Sequence, residues 1–371
     1  MARVMRRSVL GTVSVVCAMA CAVTLVAQRG PQPPAPPVPG AAPAGVVLGV
    51  GTYIHLVSDV NNSVAFYSEL LGAMPNGNAP AGPRQFAPNE VVSNLYNTPG
   101  SLFRGGTVRI AGTELAGAEL VDWQVGDRKR VQPRIQDAGA ATLVLSVRDV
   151  AAAGAALGKN GGAVITPKGQ PVVATVNGGK GRMLLGRDPD GFLIGAIQLD
   201  TLPETTAPAT SNIIGASLLV TVADLDKAVR FYHDALGFDV QPPTAWATDK
   251  ALADVAGLPN SAQRRGAKAL IPGTALPVEF MEFKGVDRQQ LAADAHGVGS
   301  SVLRLRVKDI DATIAALKTV GATVASANGQ PVTFANGQRM AILSDPNGIF
   351  VQTVQAAPPQ ATPPQPTRGT P

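Results

Sequence analysis

A short pattern occurs twice in this chain, 165 residues apart, and it strongly restricts the fold. Asp59 is followed by an FY pair and then an LG pair, and Asp224 is followed by the same pairs at the same spacing. Each copy is followed further on by a DPxG sequence, which begins at Asp188 in the first case and at Asp345 in the second. Repetition of several features in a fixed order predicts a duplicated architecture.

The region between about residues 47 and 356 divides into four similar units. Each unit alternates a strand, a helix and several short strands. An aspartate precedes each predicted helix, where its carboxylate can accept hydrogen bonds from the first free backbone N–H groups; these residues are Asp59, Asp149, Asp224 and Asp309. The proline-containing segment 201–211 separates two halves, residues 47–200 and 212–356, and each is long enough to bury a core.

The first 27 residues are typical of an export signal. Three arginines precede an apolar run, and small residues end it. The run approaches the length of a bilayer span, so an uncleaved membrane anchor is an alternative, as is lipid attachment at Cys21. Both cysteines, Cys17 and Cys21, lie in this segment, so cleavage would leave a chain without thiols. We therefore expect an exported protein, periplasmic or secreted, without a stable membrane span.

Composition excludes several other classes. Segments 28–46 and 357–371 are too rich in proline and alanine to form a core and are expected to be solvated. The formal charge of the chain is +5, and three of its 31 basic residues lie in the signal, so the remaining 28 nearly balance 26 acidic residues. This balance does not suit a nucleic-acid partner. The glycine-rich segment 158–162 lacks the spacing of a phosphate-binding loop.

The combined order of these motifs resembles the vicinal oxygen chelate superfamily, which includes glyoxalase I, extradiol dioxygenases and bleomycin-resistance proteins. The resemblance extends over nearly all of residues 47–356. It implies an α+β fold of four βαβββ modules, two in each half. The strands of these modules would form two incomplete barrels, each around a cleft, as in tandem domains of this superfamily.

The resemblance also implies where a metal would bind. Metal-using members direct one ligand from each of four strands into a cleft. In the first half those positions are Thr52, Thr142, Glu119 and Gly195, and in the second half Ser217, Val302, Glu279 and Gln352. Only the glutamate remains in each half, and one carboxylate beside hydroxyl and apolar groups does not hold zinc, iron or manganese well. We therefore expect no metal and no other cofactor.

Three histidines and two tryptophans complete the candidate residues. His55 has the strand parity opposite to Thr52, so it should point towards the helices as a hydrogen-bonded core or rim residue, unless a bulge reverses the parity. His233 is expected to face solvent from a helix, and His296 lies in a predicted loop. Trp123 and Trp246 are candidate stacking surfaces for a ligand, with core packing as the alternative. These are all the histidines and tryptophans in the chain.

Three functions fit this sequence. The first is binding of a small organic molecule in a metal-free cleft. The second is a metal-independent isomerase or lyase with Glu119 or Glu279 as general base, and with Arg182 and Arg339 stabilising an enolate-like anion. For these two arginines, surface ion pairs are the alternative. The third is a divergent metal-dependent glyoxalase or dioxygenase. A monomer is favoured over a homodimer because four modules can complete their pairing within one chain.

Overall fold

The computed structural model describes residues 45–72, 83–126, 128–176 and 178–358. The predicted export signal, nearly all of the 28–46 segment and most of the proline-rich tail lie outside these residues. The described residues form two curled sheets with short helices packed beside them, which confirms the predicted α+β fold of four modules.

The four modules have the predicted order of strand, helix and further strands. Module 1 contains β1 (Val47–Leu56), α1 (Val60–Leu71), β2 (Ala87–Pro88), α2 (Glu90–Leu95), β3 (Leu102–Val108) and β4 (Ala118–Gln124). Module 2 contains β5 (Ala141–Val147), α3 (Val150–Leu157), β6 (Ala163–Val164), β7 (Val172–Val176), β8 (Gly179–Arg187) and β9 (Leu193–Leu199).

Modules 3 and 4 repeat this arrangement. Module 3 contains β10 (Ile213–Thr221), α4 (Leu225–Val229), β11 (Asp239–Val240), β12 (Ala247–Thr248), α5 (Lys250–Ala256), β13 (Gln263–Leu270) and β14 (Pro277–Lys284). A π-helical turn, Arg230–Ala235, continues α4. Module 4 contains β15 (Ser301–Val307), α6 (Ile310–Thr319), β16 (Thr323–Val324), β17 (Val332–Thr333), β18 (Arg339–Ser344) and β19 (Phe350–Gln355).

Each sheet combines modules from different halves of the chain. The first sheet has the order β16-β18-β19-β15-β1-β4-β3-β2, and modules 4 and 1 meet at the antiparallel pair of β15 and β1. The second sheet has the order β11-β13-β14-β10-β5-β9-β8-β6, and modules 3 and 2 meet at the antiparallel pair of β10 and β5. Strand β17 extends the first sheet beside β18, while β7 and β12 extend the second beside β8 and β13.

This pairing corrects the expectation that the four ligand positions of one half share a cleft. The connections between β4 and β5 and between β14 and β15 run side by side, with bridges between Arg130 and Val298 and between Ala138 and Gln290. Both connections carry the chain from one sheet to the other. Thr52 and Glu119 of module 1 therefore face residues of module 4, not residues of module 2.

Strand alternation divides the apolar residues into three clusters. One large cluster lies between the sheets and the helices and includes side chains of all four modules. A second cluster lies on the opposite face of the first sheet, around Trp123 and Phe350. A third lies on the corresponding face of the second sheet, around Leu185 and Met281. The second and third clusters therefore belong to the two clefts.

The predicted helix starts are confirmed. All four aspartates accept hydrogen bonds from backbone N–H groups in the first turn of their helices. Helix α1 ends at Gly72, whose φ of 61° is the left-handed conformation that favours glycine. Val64, Tyr67 and Leu71 of α1 are buried as the helical spacing predicts.

The FY and DPxG motifs contact each other, which explains their joint occurrence. Tyr67 donates a hydrogen bond to Asp188 at 3.0 Å, and Tyr232 donates to Asp345. Burial raises the pKa of Asp188 from its ordinary value of 3.8 to about 7, with a further contribution from the nearby charge of Asp190. Burial raises the pKa of Asp345 to about 6. The tyrosine of one module is thus bonded to a turn in the next module of the same half.

Candidate functional sites in the two clefts

The first cleft is the face of the first sheet that carries Thr52, Glu119, Arg304 and Gln352. Strand alternation directs these side chains to one side, while their neighbours in sequence enter the large core. Arg304 forms a bidentate ion pair with Glu119, with Nη1 to Oε2 at 2.7 Å and Nη2 to Oε1 at 3.1 Å. Thr52 donates to the same carboxylate at 2.8 Å, and Arg304 donates through Nε to Gln352.

The path of Arg304 depends on the backbone of β1. A Cβ atom at Gly51 would lie 2.8 Å from Cδ of Arg304, so the missing side chain leaves room for the arginine stem. The pairing of β1 with β15 shifts between Val50 and Tyr53, where β1 accommodates one extra residue. The bulge and the glycine together allow a side chain from module 4 to reach a carboxylate of module 1.

Aromatic side chains fill the rest of the first cleft. Tyr96 follows α2 and contacts Trp123 with ring centroids 5.2 Å apart, and Trp123 also contacts Phe103 at 5.3 Å. Phe350 and the partly buried Phe334 belong to the same apolar cluster. Trp123 is only 3% exposed, so core packing, the alternative for this residue, describes its position.

The donor set of the first cleft does not fit a divalent metal. Both oxygens of Glu119 receive guanidinium N–H groups, and the amide oxygen of Gln352 receives a third. A divalent cation among these atoms would meet the positive charge of Arg304 at contact distance. Thr52 and Gln352 are weak substitutes for the imidazoles that transition metals prefer. Within the described ranges, no group of three or more His, Cys, Asp or Glu side chains is arranged to hold a metal.

The second cleft lies on the corresponding face of the second sheet and encloses a cavity of about 790 Å³. Thr142, Gly195, Ser217 and Glu279, which occupy the four family ligand positions of this sheet, all line it. Val144 also lines it and stands where the first sheet has Arg304, two residues after the corresponding strand position. The structure thus brings together two predicted residues from each half.

An ion-paired arginine lies at the wall of the second cleft. Arg264 donates through Nη1 to Oε1 of Glu279 at 3.0 Å and through Nε to Asp249 at 2.9 Å. Asp249 is also the N-terminal cap of α5, since it accepts from the N–H of Leu252. The side chains of Arg264 and Glu279 are 28% and 30% exposed. Charged groups and the cavity therefore meet along one edge.

A metal does not fit the second cleft either. Thr142, Ser217 and Gly195 offer hydroxyl groups or no side chain, and Arg264 is paired with Glu279. Thr142 is 2% exposed, and its hydroxyl has no hydrogen-bond partner among the described residues. A buried hydroxyl without a partner is costly, so Thr142, which lines the cavity, would gain from a hydrogen bond to a bound molecule.

The two arginines predicted to stabilise an anion lie outside the clefts. Arg182 is exposed on β8 and is absent from the described lining of the cavity. Arg339 is paired with Asp311 on α6, with Nη2 to Oδ1 at 2.9 Å. The surface ion pair, the alternative for Arg339, is therefore its observed state. Arg264 and Arg304 hold the positions in the clefts instead.

The histidines differ partly from expectation. His55 points towards the helix layer as its parity predicts, but neither ring nitrogen has a partner among the described residues, so the expected hydrogen bond is wrong. Burial lowers its pKa to about 3. His233 was expected to face solvent but is 5% exposed and contacts Asp234, because the π-helical turn buries it. His296 lies in a turn, as predicted.

Trp246 is half-buried, and two cations contact its ring. Arg265 is 5.2 Å and Lys284 is 4.4 Å from its ring centroid. It is absent from the described lining of the second cavity. Its stacking partners in this structure are therefore cationic side chains of its own module.

Alternation within the strands is the signal that would have found the missed arginines. In the sequence of β15, Leu303 and Leu305 enter the core, so Arg304 must share the face of Val302. Phe283 lies four residues after Glu279 on β14, so the two side chains share one face of the sheet. Arg264 of β13 pairs with Phe283 and therefore lies on that face too. Charged residues at cleft-facing positions are informative because few sheet interiors contain them.

Comparison with known proteins agrees with this architecture. A sequence profile of the Glyoxalase/Bleomycin resistance protein/Dioxygenase superfamily matches residues 49–195 and 216–353. The chain belongs to this superfamily. A search of curated proteins found no match.

Solved structures of glyoxalase I from Zea mays are similar to this chain. The enzyme is 18% identical with a TM-score of 0.52, over 84% of this chain and 92% of the other. A variant of the same enzyme is 15% identical with a TM-score of 0.51, over 84% and 94%. A putative dioxygenase from Bacillus subtilis is 14% identical with a TM-score of 0.48, over 85% and 87%. The similarity to glyoxalase I describes the fold alone.

The helices of the described ranges are short. None of them combines the length and the hydrophobicity needed to cross a membrane.

Proposed function

We propose that this protein binds a small organic molecule in the second cleft without a metal ion. The observation that carries the proposal is a cavity of about 790 Å³ whose lining is mainly aliphatic and also includes hydroxyl groups and the ion-paired Arg264 and Glu279. Small-molecule sites in proteins have this size and this composition. The hydroxyl of Thr142 would gain a hydrogen-bond partner from the ligand.

The first cleft is a poorer candidate because its own side chains occupy it. Arg304 and Gln352 contact Glu119 or each other, and Tyr96 and Trp123 pack beside them. A ligand would have to displace an ion pair and aromatic rings. In the second cleft Val144 occupies the position equivalent to Arg304, and its smaller side chain leaves space for a ligand.

A thermal-shift screen of small metabolites and antibiotics, followed by native mass spectrometry, tests the proposal. A ligand that binds only the native state raises the unfolding temperature. Binding of an unaltered ligand that is lost in the cavity-filling variant Val144→Trp would support it. Recovery of a chemically altered ligand would contradict pure binding. Shifts that Val144→Trp leaves unchanged would place the ligand elsewhere.

A metal-independent isomerase or lyase is the second candidate, with Glu279 as general base. The carboxylate of Glu279 lines the cavity and is 30% exposed, whereas both oxygens of Glu119 are held by Arg304. If turnover is found, Glu279→Gln should abolish it and Glu119→Gln should not. Retained turnover in Glu279→Gln would exclude this mechanism. A stoichiometric transition metal in purified protein would instead support the divergent glyoxalase or dioxygenase.

Export and a monomeric state complete the proposal. The basic and apolar sequence of residues 1–27 supports export to the periplasm or beyond. Pairing of β1 with β15 and of β5 with β10 supports a monomer, since one chain completes both sheets. Intact mass of protein recovered from fractionated cells tests the first point, and light scattering tests the second.

A further inference from the structure

The cavity of the second cleft is lined mainly by aliphatic side chains, with four hydroxyl-bearing and five charged residues among them. Its described lining consists mainly of Leu, Ile, Val, Met, Ala and Pro side chains and contains no aromatic residue. Leu219, Leu252 and Met281 are representative, since they come from a central strand, from α5 and from β14. A flat aromatic ligand would find no ring on which to stack here. Flexible aliphatic and thioether side chains suit a flexible aliphatic molecule.

The first cleft shows what the same scaffold looks like with aromatic residues. Asn89 caps α2 and Asp249 caps the equivalent helix α5. The seventh residue after the cap is Tyr96 in the first cleft and Ala256 in the second. Phe103 pairs with Trp123 in the first sheet, while Arg264 pairs with Phe283 in the second. In the second cleft, Ala256 stands in place of Tyr96 and Arg264 in place of Phe103, so two aromatic rings are missing there.

Charge at the edge of the cavity selects the polar end of the ligand. The described lining contains three acidic residues and two basic ones; the acidic residues are Glu204, Asp249 and Glu279, and the basic residues are Arg264 and Lys268. Arg264 already donates to two of the carboxylates. Lys268 lies opposite Glu279 in the strand pairing. A further carboxylate would therefore add to an excess of negative charge.

Hydrogen-bonding capacity points in the same direction. A carboxylate offers about four acceptor sites and no donor, and Glu279 receives Arg264 through Oε1. The hydroxyl of Thr142, buried and without a partner among the described residues, both donates and accepts. A ligand group that donates a hydrogen bond suits either residue; the two lie level with Leu219 on β5 and β14, with β10 between them.

We infer that the ligand of the second cleft is an aliphatic molecule whose polar end is an alcohol or an amine. This inference rests on the proposed binding function and names the ligand class for that site. An aromatic compound or an aliphatic carboxylate of the same size binds more weakly. The first lacks a stacking partner, and the second lacks a donor and carries the disfavoured charge.

Isothermal titration of the full mature chain with decanol, decylamine, decanoate and naphthol tests the ligand class. We expect decanol and decylamine to bind one per chain, and decanoate to bind at least about tenfold more weakly because its charge is unpaired. Naphthol should also be at least about tenfold weaker for lack of stacking. Val144→Trp should abolish binding, whereas Val173→Trp, at a side chain 74% exposed and outside the described lining, should not.

Thr142→Val tests the polar end separately. Valine has a similar shape and is the residue type at the corresponding position of β15, Val302, so the variant is expected to fold. Loss of the hydroxyl should weaken decanol by about tenfold. Unchanged decanol affinity in this variant would overturn the assignment of the polar end.

The remaining outcomes separate this inference from the proposed function. Tighter binding of naphthol than of decanol, lost in Val144→Trp, would overturn the aliphatic class and leave the binding function standing. Binding of decanoate equal to that of decanol would overturn the head-group preference. If none of the four probes binds, the inference fails. The broader screen then decides the binding function through its own sensitivity to Val144→Trp.

Discussion

The two clefts are built from equivalent strands but differ in what occupies them. In the first, Arg304 crosses from module 4 to Glu119, and aromatic rings pack in the same cleft. In the second, Val144 replaces the arginine, and a cavity of about 790 Å³ remains beside Glu279. The equivalent ligand positions of the superfamily are thus occupied differently in the two clefts of one chain. One cleft contains an internal ion pair, and the other contains an open cavity.

The largest expected effect concerns packing. Trp123→Ala should destabilise the protein by about 4 kcal/mol, because it leaves a hole in a filled cleft. Leu252→Ala, beside the existing cavity, should cost only about 2 kcal/mol because that side chain has fewer packing partners to lose. Urea unfolding of both variants measures the difference. Equal losses would mean that the first cleft is no better packed than the second.

The second largest effect concerns the free energy of unfolding that each cleft loses when its arginine is removed. Arg304→Met should cost about 3 kcal/mol, since Glu119 loses both guanidinium bonds in a site where its side chain is 25% exposed. Arg264→Met should cost about 1 kcal/mol, because Glu279 loses one guanidinium bond and Asp249 keeps the N–H of Leu252. Denaturant midpoints provide the measurement.

The double variant Glu119→Gln with Arg304→Met is the control for this pair. It should recover part of the loss, because no charge is left without its partner. A double variant as unstable as the sum of the single variants would contradict direct coupling.

The two DPxG turns should differ in how their aspartates make stability depend on pH. Asp188 has a pKa of about 7 beside Asp190, and Asp345 has a pKa of about 6 beside Asn347. A pKa above that of the unfolded chain favours the fold when the carboxyl is protonated. The contribution is therefore complete below about pH 4 and is lost as pH rises through about 7.

Asp190→Asn should make the first turn resemble the second. We expect the pKa of Asp188 to fall by about one unit and the stability lost towards neutral pH to shrink by about 1 kcal/mol. Carboxyl-carbon NMR titration and unfolding at several pH values would show it. An unchanged titration of Asp188 would exclude the charge of Asp190 as a cause.

The smallest effect is expected at His55, whose counterpart in module 3 is Val220. Its pKa lies below that of the unfolded chain, so stability is complete above about pH 6.5 and is lost as pH falls towards about 3. His55→Phe removes two unpartnered nitrogens and should change stability at neutral pH by no more than about 1 kcal/mol. Acid unfolding should become less steep. An equally steep loss below about pH 6 would assign the acid sensitivity to other groups.

Much of the fold could be predicted from short-range signals. The four capping aspartates and the helix from Val60 to Leu71 follow from local backbone needs, and the structure confirms them. The pairing of β1 with β15 could not be predicted, because residues more than two hundred positions apart compete with closer strands of the same type. Only the course of the two connections between sheets decides which strands meet.

The site was predicted in part for the same reason. Strand position predicts that Thr142, Ser217 and Glu279 face a cleft, and all three line one cavity, but the partners of each residue depend on sheet pairing. Arg182 and Arg339 each precede a methionine on equivalent strands of modules 2 and 4, but such a shared pair also occurs at turns and surface ion pairs. The open volume of the second cleft depends on side chains such as Ala256 that no motif identifies.

The crossing of the chain between sheets has a consequence for assembly. A cut within residues 201–211 would separate β1 from β15 in the first sheet and β5 from β10 in the second. One fragment would then expose β1 and β5 as edge strands, and the other would expose β10 and β15. Long unpaired edges recruit complementary strands. The fragments should therefore reassociate with each other as a split protein, whereas either one produced alone should aggregate or dimerise through those edges.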